Sequence, residues 1–330
     1  MAKLVGVFNT AHSPFTYMTS DQWETVRSNR PPYRADVPID DEETNAAKAA
    51  RVQVGFKTLR QKLAEVRPDV LLVFGDDQNE IFDFNNHPSI AIYVGDSFEG
   101  KKPGTTAGFL GGAKPDAPQP MEKVLGHPEL ATHILTGLLA RGFDPAFMMD
   151  NPKPEKGMCH AIMNPLTSLT DFDIPTVPLL FNAYYAPQLT ANRCYDAGRA
   201  IREIVEEFPG DLRVAAIGSG GLWHTPGRDR SFLDEEFDRK GLEFLQKGDI
   251  KGWADHFDAY VVADDDPSQE NSGRGTTGLP TPGGPQGGTR ETCNWIGAAA
   301  MAEGETNEIV DYIPIYASPV AASFAYWVAP

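Results

Sequence analysis

The chain has 330 residues, 41% hydrophobic and 23% charged, which supplies ample apolar material for a folded core. Its 29 Lys and Arg against 46 Asp and Glu leave a net charge of −17, which argues against a nucleic-acid partner or an anionic membrane surface, since both need a basic face. The three cysteines, Cys159, Cys194 and Cys293, lack CxxC spacing, so neither a disulfide framework nor a zinc knuckle is expected, and reduced thiols suit a cytoplasmic location.

In chain order, LVGVF (4–8) predicts a strand that delivers His12 just past its end. The apolar part of this opening stretch is too short for a signal h-region, and no later run reaches membrane-spanning length. Val52, Phe56, Leu59, Leu63 and Val66 recur at steps of four and three, the stripe of a one-sided helix. VLLVFG (70–75) predicts a second strand, which runs straight into Asp76, Asp77, Gln78 and Glu80. IAIYVG (90–95) predicts a third. PELATHILTGLLARGF (128–143) reads as a helix, with Pro128 early and Gly142 near its end. VPLLF (177–181) and VAAIG (214–218) follow as strands, the latter leading to His224, and between them Cys194, Ala197, Ile201, Ile204 and Phe208 mark another helical stripe. GGTRETCNWIGAAAMAEG predicts a helix from near Thr289 with Glu291 in its first turn, and IVDYIPIYA (309–317) predicts a last strand.

Most of the strand runs are continuously apolar, as strands covered on both faces are. Alternation with helices predicts an α/β fold: a central, mostly parallel or mixed sheet with helices on both faces, and a site at the strands' carboxyl ends. One domain, 1–330, is expected. Residues 100–125 and 265–288 are rich in Gly, Pro and small polar residues and read as insertions, either lids or disordered segments.

Each chemical residue alone has a plain explanation. A single histidine after a strand usually serves loop hydrogen bonding, and a first-turn acid complements the helix dipole. GSGG (218–221) lacks the GxGxxG pattern, Ser219 is not in a GxSxG elbow, and HExxH and GxxxxGK[ST] are absent from the sequence. Only convergence of His12, the 76–80 cluster, His224 and Glu291 at one sheet edge would make a site.

Taken in order, NTAHSP, FGDDQNEIF, GMCHAIMNPL, IGSGGLWHTP and TRETCNWIGAAA resemble the class III extradiol ring-cleavage dioxygenases, the superfamily of the protocatechuate 4,5-dioxygenase β subunit. The resemblance implies an α/β fold, mononuclear non-haem Fe(II), and opening of a small catechol-like aromatic by O2 beside its hydroxyls. It implies that His12 and Glu291 are metal ligands, that His224 is the acid/base, and that His160 positions substrate. It implies too a homo-oligomer or a small helical partner subunit. The family's remaining ligand is a histidine, and Gln78 holds its place. Gln78 is read as the ligand itself; the alternatives are Asp77 or Glu80 in its place, giving an oxygen-rich site that favours Mn(II) or another hard cation, or His87 folding back. Two rival readings keep the fold: a divalent-metal hydrolase or isomerase, and a catalytically lapsed binding or partner subunit. Arg228, Arg274 and Arg290 are candidates to meet a substrate carboxylate.

Overall fold

Strands β1 (Lys3–Ala11), β2 (Val70–Gly75), β7 (Thr176–Phe181) and β8 (Arg213–Gly220) lie side by side in parallel and form the centre of the molecule. This computed structural model describes residues 1–103, 120–225, 227–263, 266 and 278–330. Within them the remaining strands are β3 (Ile90–Tyr93), β4 (Ser97–Lys101), β5 (Met121–Leu125), β6 (Ala146–Met148), β9 (Glu308–Ile315) and β10 (Val320–Val328). The helices are α1 (Ser20–Ser28), α2 (Glu42–Val66), α3 (Pro128–Ala140), α4 (His160–Leu169), α5 (Ala191–Glu207), α6 (Glu235–Lys247), α7 (Ile250–Asp258) and α8 (Thr292–Ala300).

The main sheet has eight strands in the order β6-β3-β7-β2-β8-β1-β10-β9. β3 runs antiparallel to β7, while β10 and β9 close the other side as an antiparallel pair. Side chains alternate across it: Val70, Leu72 and Phe74 of β2 enter one apolar cluster, Leu71 and Val73 the other. The first cluster takes in buried residues of α3, α5, α7 and α8, and the second those of α2 and α4. Both faces are therefore dry, which is why the strands read as continuous rather than alternating. Along α2, Val52, Phe56, Leu59 and Leu63 are all buried, each contributing roughly 1.5–3 kcal/mol of apolar burial. Asp41 starts that helix by accepting the Thr44 N–H at 2.8 Å.

Several elements differ from expectation. The stretch 100–125 is bounded by a hairpin, β4 paired antiparallel with β5, so its ends are ordered strands; residues 104–119 lie outside the described part. Of 265–288, residues 265 and 267–277 lie outside it as well, and Arg274 with them. The helix expected from Thr289 starts instead at Thr292, after a 3-10 turn over Gly287–Glu291. No helix among the described residues is long and apolar enough to cross a membrane.

Candidate metal centre

The parallel register brings three strand ends to one edge of the sheet. Ala11 of β1 pairs with Gly220 of β8, and Phe74 of β2 pairs with Gly218, so His12 and Asp76 emerge on either side of the β8 terminus. The His12 N–H donates to the Gly220 carbonyl at 2.8 Å, which fixes where its side chain leaves the sheet. Glu291 arrives on the 3-10 turn that packs against the same edge. Two glycines permit that approach: a Cβ on Gly220 would sit 2.4 Å from the Glu291 carbonyl oxygen, and one on Gly288 would sit 2.3 Å from His224 Nε2. The glycine-rich runs here serve close packing rather than phosphate binding.

At the centre, His12 Nε2 lies 2.6 Å from Glu291 Oε2, and His224 Nε2 lies 3.1 Å from the same oxygen. Gln78 Nε2 donates to Glu291 Oε1 at 2.6 Å. His12 and Glu291 are each 1% exposed, so this carboxylate sits in a dry setting. One nitrogen of His12 and one oxygen each of Asp76 and Glu291 also lie within 4.8 Å of one another. Asp76 Oδ1 accepts from Asn294 Nδ2 at 2.9 Å, while its Oδ2 is buried without a hydrogen-bond partner.

The surrounding hydrogen bonds decide where the imidazole protons lie. Ser219 donates its hydroxyl to the Ala161 carbonyl, so its oxygen can only accept from His12 Nδ1, 3.0 Å away. That leaves the His12 Nε2 lone pair aimed at Glu291. Likewise His224 Nδ1 donates to the Leu222 carbonyl at 2.7 Å, leaving its Nε2 toward the same carboxylate. Two nitrogen lone pairs facing one carboxylate oxygen require positive charge among them, either protons or a cation.

The titration tendencies carry the same message. Burial opposes ionisation of Glu291, yet the two imidazoles outweigh it and hold the carboxyl below its usual range. Burial and the nearby Glu291 charge push Asp76 well up. Burial lowers His12, against the pull of Glu291, whereas at His224 the attraction of Glu291 exceeds the cost of burial and raises it. The Glu291 and Asp76 carboxyl groups, the latter with its orphaned oxygen, and a neutral imidazole form a donor set that fits a divalent cation.

His160 stands at the rim, its ring 4.7 Å from that of His12 and edge-on to it. Its Nδ1 is 2.7 Å from Glu80 Oε2, and its backbone N–H donates to Glu80 Oε1 at 3.2 Å. Burial alone would lower its pKa, but Glu80 raises it to about 9.

The other residues considered for the third ligand are occupied elsewhere. Asp77 accepts the Ile81 and Phe82 N–H groups at 2.8 and 3.1 Å, and Glu80 is engaged with His160. His87 lines a separate cavity with Phe84 and Tyr185. Asp76 is the residue that sequence reasoning passed over. Continuing the strand's two-residue period past Gly75 would have found it, because Asp76 and Gln78 then share a side and Asp77 takes the opposite one. Glu291, expected in the first turn of a helix, is buried at the end of the 3-10 turn that precedes it. Arg290 is also fully buried, and its guanidinium donates to the carbonyls of Gly283, Pro285 and Leu189, so it braces the turn that carries Glu291.

Residues 7–269 match the family described as the catalytic LigB subunit of aromatic ring-opening dioxygenase, a span that includes His12, Gln78, His160 and His224 and stops before Glu291. A gallate dioxygenase of Pseudomonas putida is 34% identical over 133 residues, covering 39% of this chain and 38% of that protein. A 2,3-dihydroxyphenylpropionate/2,3-dihydroxicinnamic acid 1,2-dioxygenase of Photorhabdus laumondii is 25% identical over 177 residues, 52% of this chain and 48% of its own. One of the same name from Rhodococcus jostii is 26% identical over 175 residues, 53% and 49%. The matches span about half the length or less of these curated relatives. With a family match over most of its length, the chain belongs to the catalytic LigB subunits of aromatic ring-opening dioxygenases.

Proposed function

We propose that the chain is a single catalytic domain that opens a small catechol-like ring beside its hydroxyls, using O2 and Fe(II). The observation that carries this reading is the 2.6 Å approach of His12 Nε2 to Glu291 Oε2, with the His12 Nδ1 proton already committed to Ser219. His12 and Glu291 would hold the metal, with Gln78 as the third donor and the Asp76 carboxylate beside them. A flip of the Gln78 amide exchanges the positions of its nitrogen and oxygen, so the group whose nitrogen now donates to Glu291 can turn its oxygen to a metal. When bound, Fe(II) supplies Lewis acidity toward the ring hydroxyls and electron exchange with O2. The relatives named for gallate and dihydroxyphenylpropionate support a hydroxylated aromatic as the substrate class.

The protein's own groups then have distinct tasks. His224 is locked by Leu222 at Nδ1, so a proton can come and go only at Nε2, the nitrogen that faces the centre. It would take the proton of a ring hydroxyl and return it later, work that suits an imidazole. His160, held by Glu80 at Nδ1, has its Nε2 left to donate to a substrate oxygen and fix the ring's approach. The buried surroundings of Glu291 and His12 exclude water from the reacting face.

The test is direct. Protein purified without oxygen is assayed for metals, loaded with Fe(II), and offered a panel of catechols while O2 is followed. About one O2 consumed per ring opened supports the reading. Turnover of an ester or amide with no O2 uptake would favour the divalent-metal hydrolase, a reading kept in view by the oxygen-rich donors Asp76 and Gln78.

A further inference from the structure

A second concavity lies beside the centre, at the same edge of the sheet. It encloses about 380 Å³, within the ordinary range of small-molecule sites, and its walls include Phe84, His87, Asn182, Tyr185, Pro187 and Leu279. Three connections tie it to the metal cluster. Leu180 of β7 pairs with Gly75 of β2, so Asn182 and Gln78 stand two and three residues past paired positions in neighbouring strands. Phe84 and His87 belong to the loop that leaves β2 through Asp76, Gln78 and Glu80. Gln188, just past the Pro187 wall, donates to Gln286 at 3.3 Å, and Gln286 begins the turn that ends in Glu291.

The chemistry of the walls selects the occupant. No Asp, Glu, Lys or Arg lines the cavity among the described residues. Burial lowers the pKa of His87, leaving a neutral ring there. Asn182 is consumed by the wall itself, its Nδ2 donating to the Tyr185 carbonyl at 2.7 Å and its Oδ1 accepting the Tyr185 N–H at 3.1 Å. Beside Ser89 and the aliphatic walls, what remains is aromatic. Phe84 meets Tyr185 edge-on at 5.0 Å and His87 meets Tyr185 at 5.4 Å, a set of ring faces and edges suited to another ring. Phe84 and Leu279 are 47% and 54% exposed, large apolar side chains left in water at the rim. A carboxylate placed there would lose hydration without gaining a cation from the described walls.

We propose that this cavity receives an uncharged, preferably aromatic, substituent of the ring that is opened, so that the preferred substrate is an aryl-substituted catechol rather than a carboxylated one. The inference rests on the ring-opening reading given above, and its test separates the two. With Fe(II)-loaded protein, kcat/KM is measured from O2 uptake for catechol, 4-phenylcatechol and protocatechuate, in the wild type and in a Phe84→Ala/Leu279→Ala double variant. The wild type is expected to favour 4-phenylcatechol over catechol about tenfold, and the double variant to bring that ratio down about tenfold. A ratio unmoved by the variant, or a preference for protocatechuate, overturns the proposal. Calorimetric binding of 4-phenylphenol to metal-free protein supplies an arm that needs no turnover. Should no catechol be opened, weaker 4-phenylphenol binding in the double variant still upholds the cavity while the ring-opening reading fails, and equal or absent binding overturns the cavity.

Discussion

Glu80 grips His160 at two points, accepting from its ring Nδ1 at 2.7 Å and from its backbone N–H at 3.2 Å. An anion so placed both aims the ring and keeps it protonated, with a pKa of about 9. Glu80→Gln is expected to lower kcat/KM by on the order of tenfold to a hundredfold while metal content stays constant. The pair also has a pH signature in the metal-free protein. Because the folded value is raised above the model-compound 6.5, its stabilising contribution is full below about pH 6.5 and lost as pH rises through about 9. Denaturant unfolding at pH 6, 8 and 10 checks this: the stability gap between wild type and variant should shrink toward pH 10, and a gap independent of pH would refute the assignment.

Glu291 and His224 lie in direct contact, 3.1 Å apart, yet are assigned different work. Glu291→Ala removes a charged donor and should abolish stoichiometric Fe(II) binding. His224→Ala should retain the metal and lose turnover by roughly 10²–10⁴-fold. Metal analysis beside O2 uptake distinguishes them, and equal metal loss in both variants would refute the division of roles.

The end of β2 offers two donors, and substitution separates them. Gln78→Ala and Asp76→Asn should each weaken Fe(II) binding by about tenfold or more, whereas Gln78→His, which puts an imidazole where the family has one, should tighten it. Competition with a chromophoric chelator gives the affinities. An Asp76→Asn protein with wild-type affinity would remove Asp76 from the donor set.

Gly288 is tested by adding one methyl group. Its Cβ would lie 2.3 Å from His224 Nε2, so Gly288→Ala must displace the imidazole. Turnover is expected to drop about a hundredfold with little change in melting temperature, since the residue does not have the positive φ of Gly287. A variant with normal kcat would show that the His224 position is not critical.

The sheet was readable because burial on both faces leaves an apolar run with few interruptions, as VLLVFG did for β2, whose predicted and observed limits coincide. β10 escaped attention although it is buried over most of its length: small residues alternate with aromatic ones in VAASFAYWV, and its partner β9 was the more obvious run. α4 was likewise missed, since Pro165 interrupts a pattern of only ten residues. At the site, His12, Gln78 and His224 were visible as polar residues after apolar strands and Glu291 as an acid in a first helical turn, and the fold brings these four together. Composition alone does not rank Asp76, Asp77 and Glu80; the alternation of β2 carried past Gly75 is what puts Asp76 on the side of Gln78. The backbone hydrogen bonds of Ile81 and Phe82 claim Asp77, the His160 pair claims Glu80, and Asp76 is left facing inward.

Helix α4 links features that are otherwise remote in sequence. Its first residue is His160; the carbonyl of its second, Ala161, takes the Ser219 hydroxyl and so dictates the tautomer of His12; and Asn164, one turn on, donates to the His12 carbonyl at 2.8 Å. The group that would steer the incoming ring and the group that would hold the cation thus share one rigid mount. A displacement of that helix by even half an ångström would mistune both together, so changes in its packing partners on α2, far from any reacting atom, should slow turnover and loosen the cation in step rather than separately.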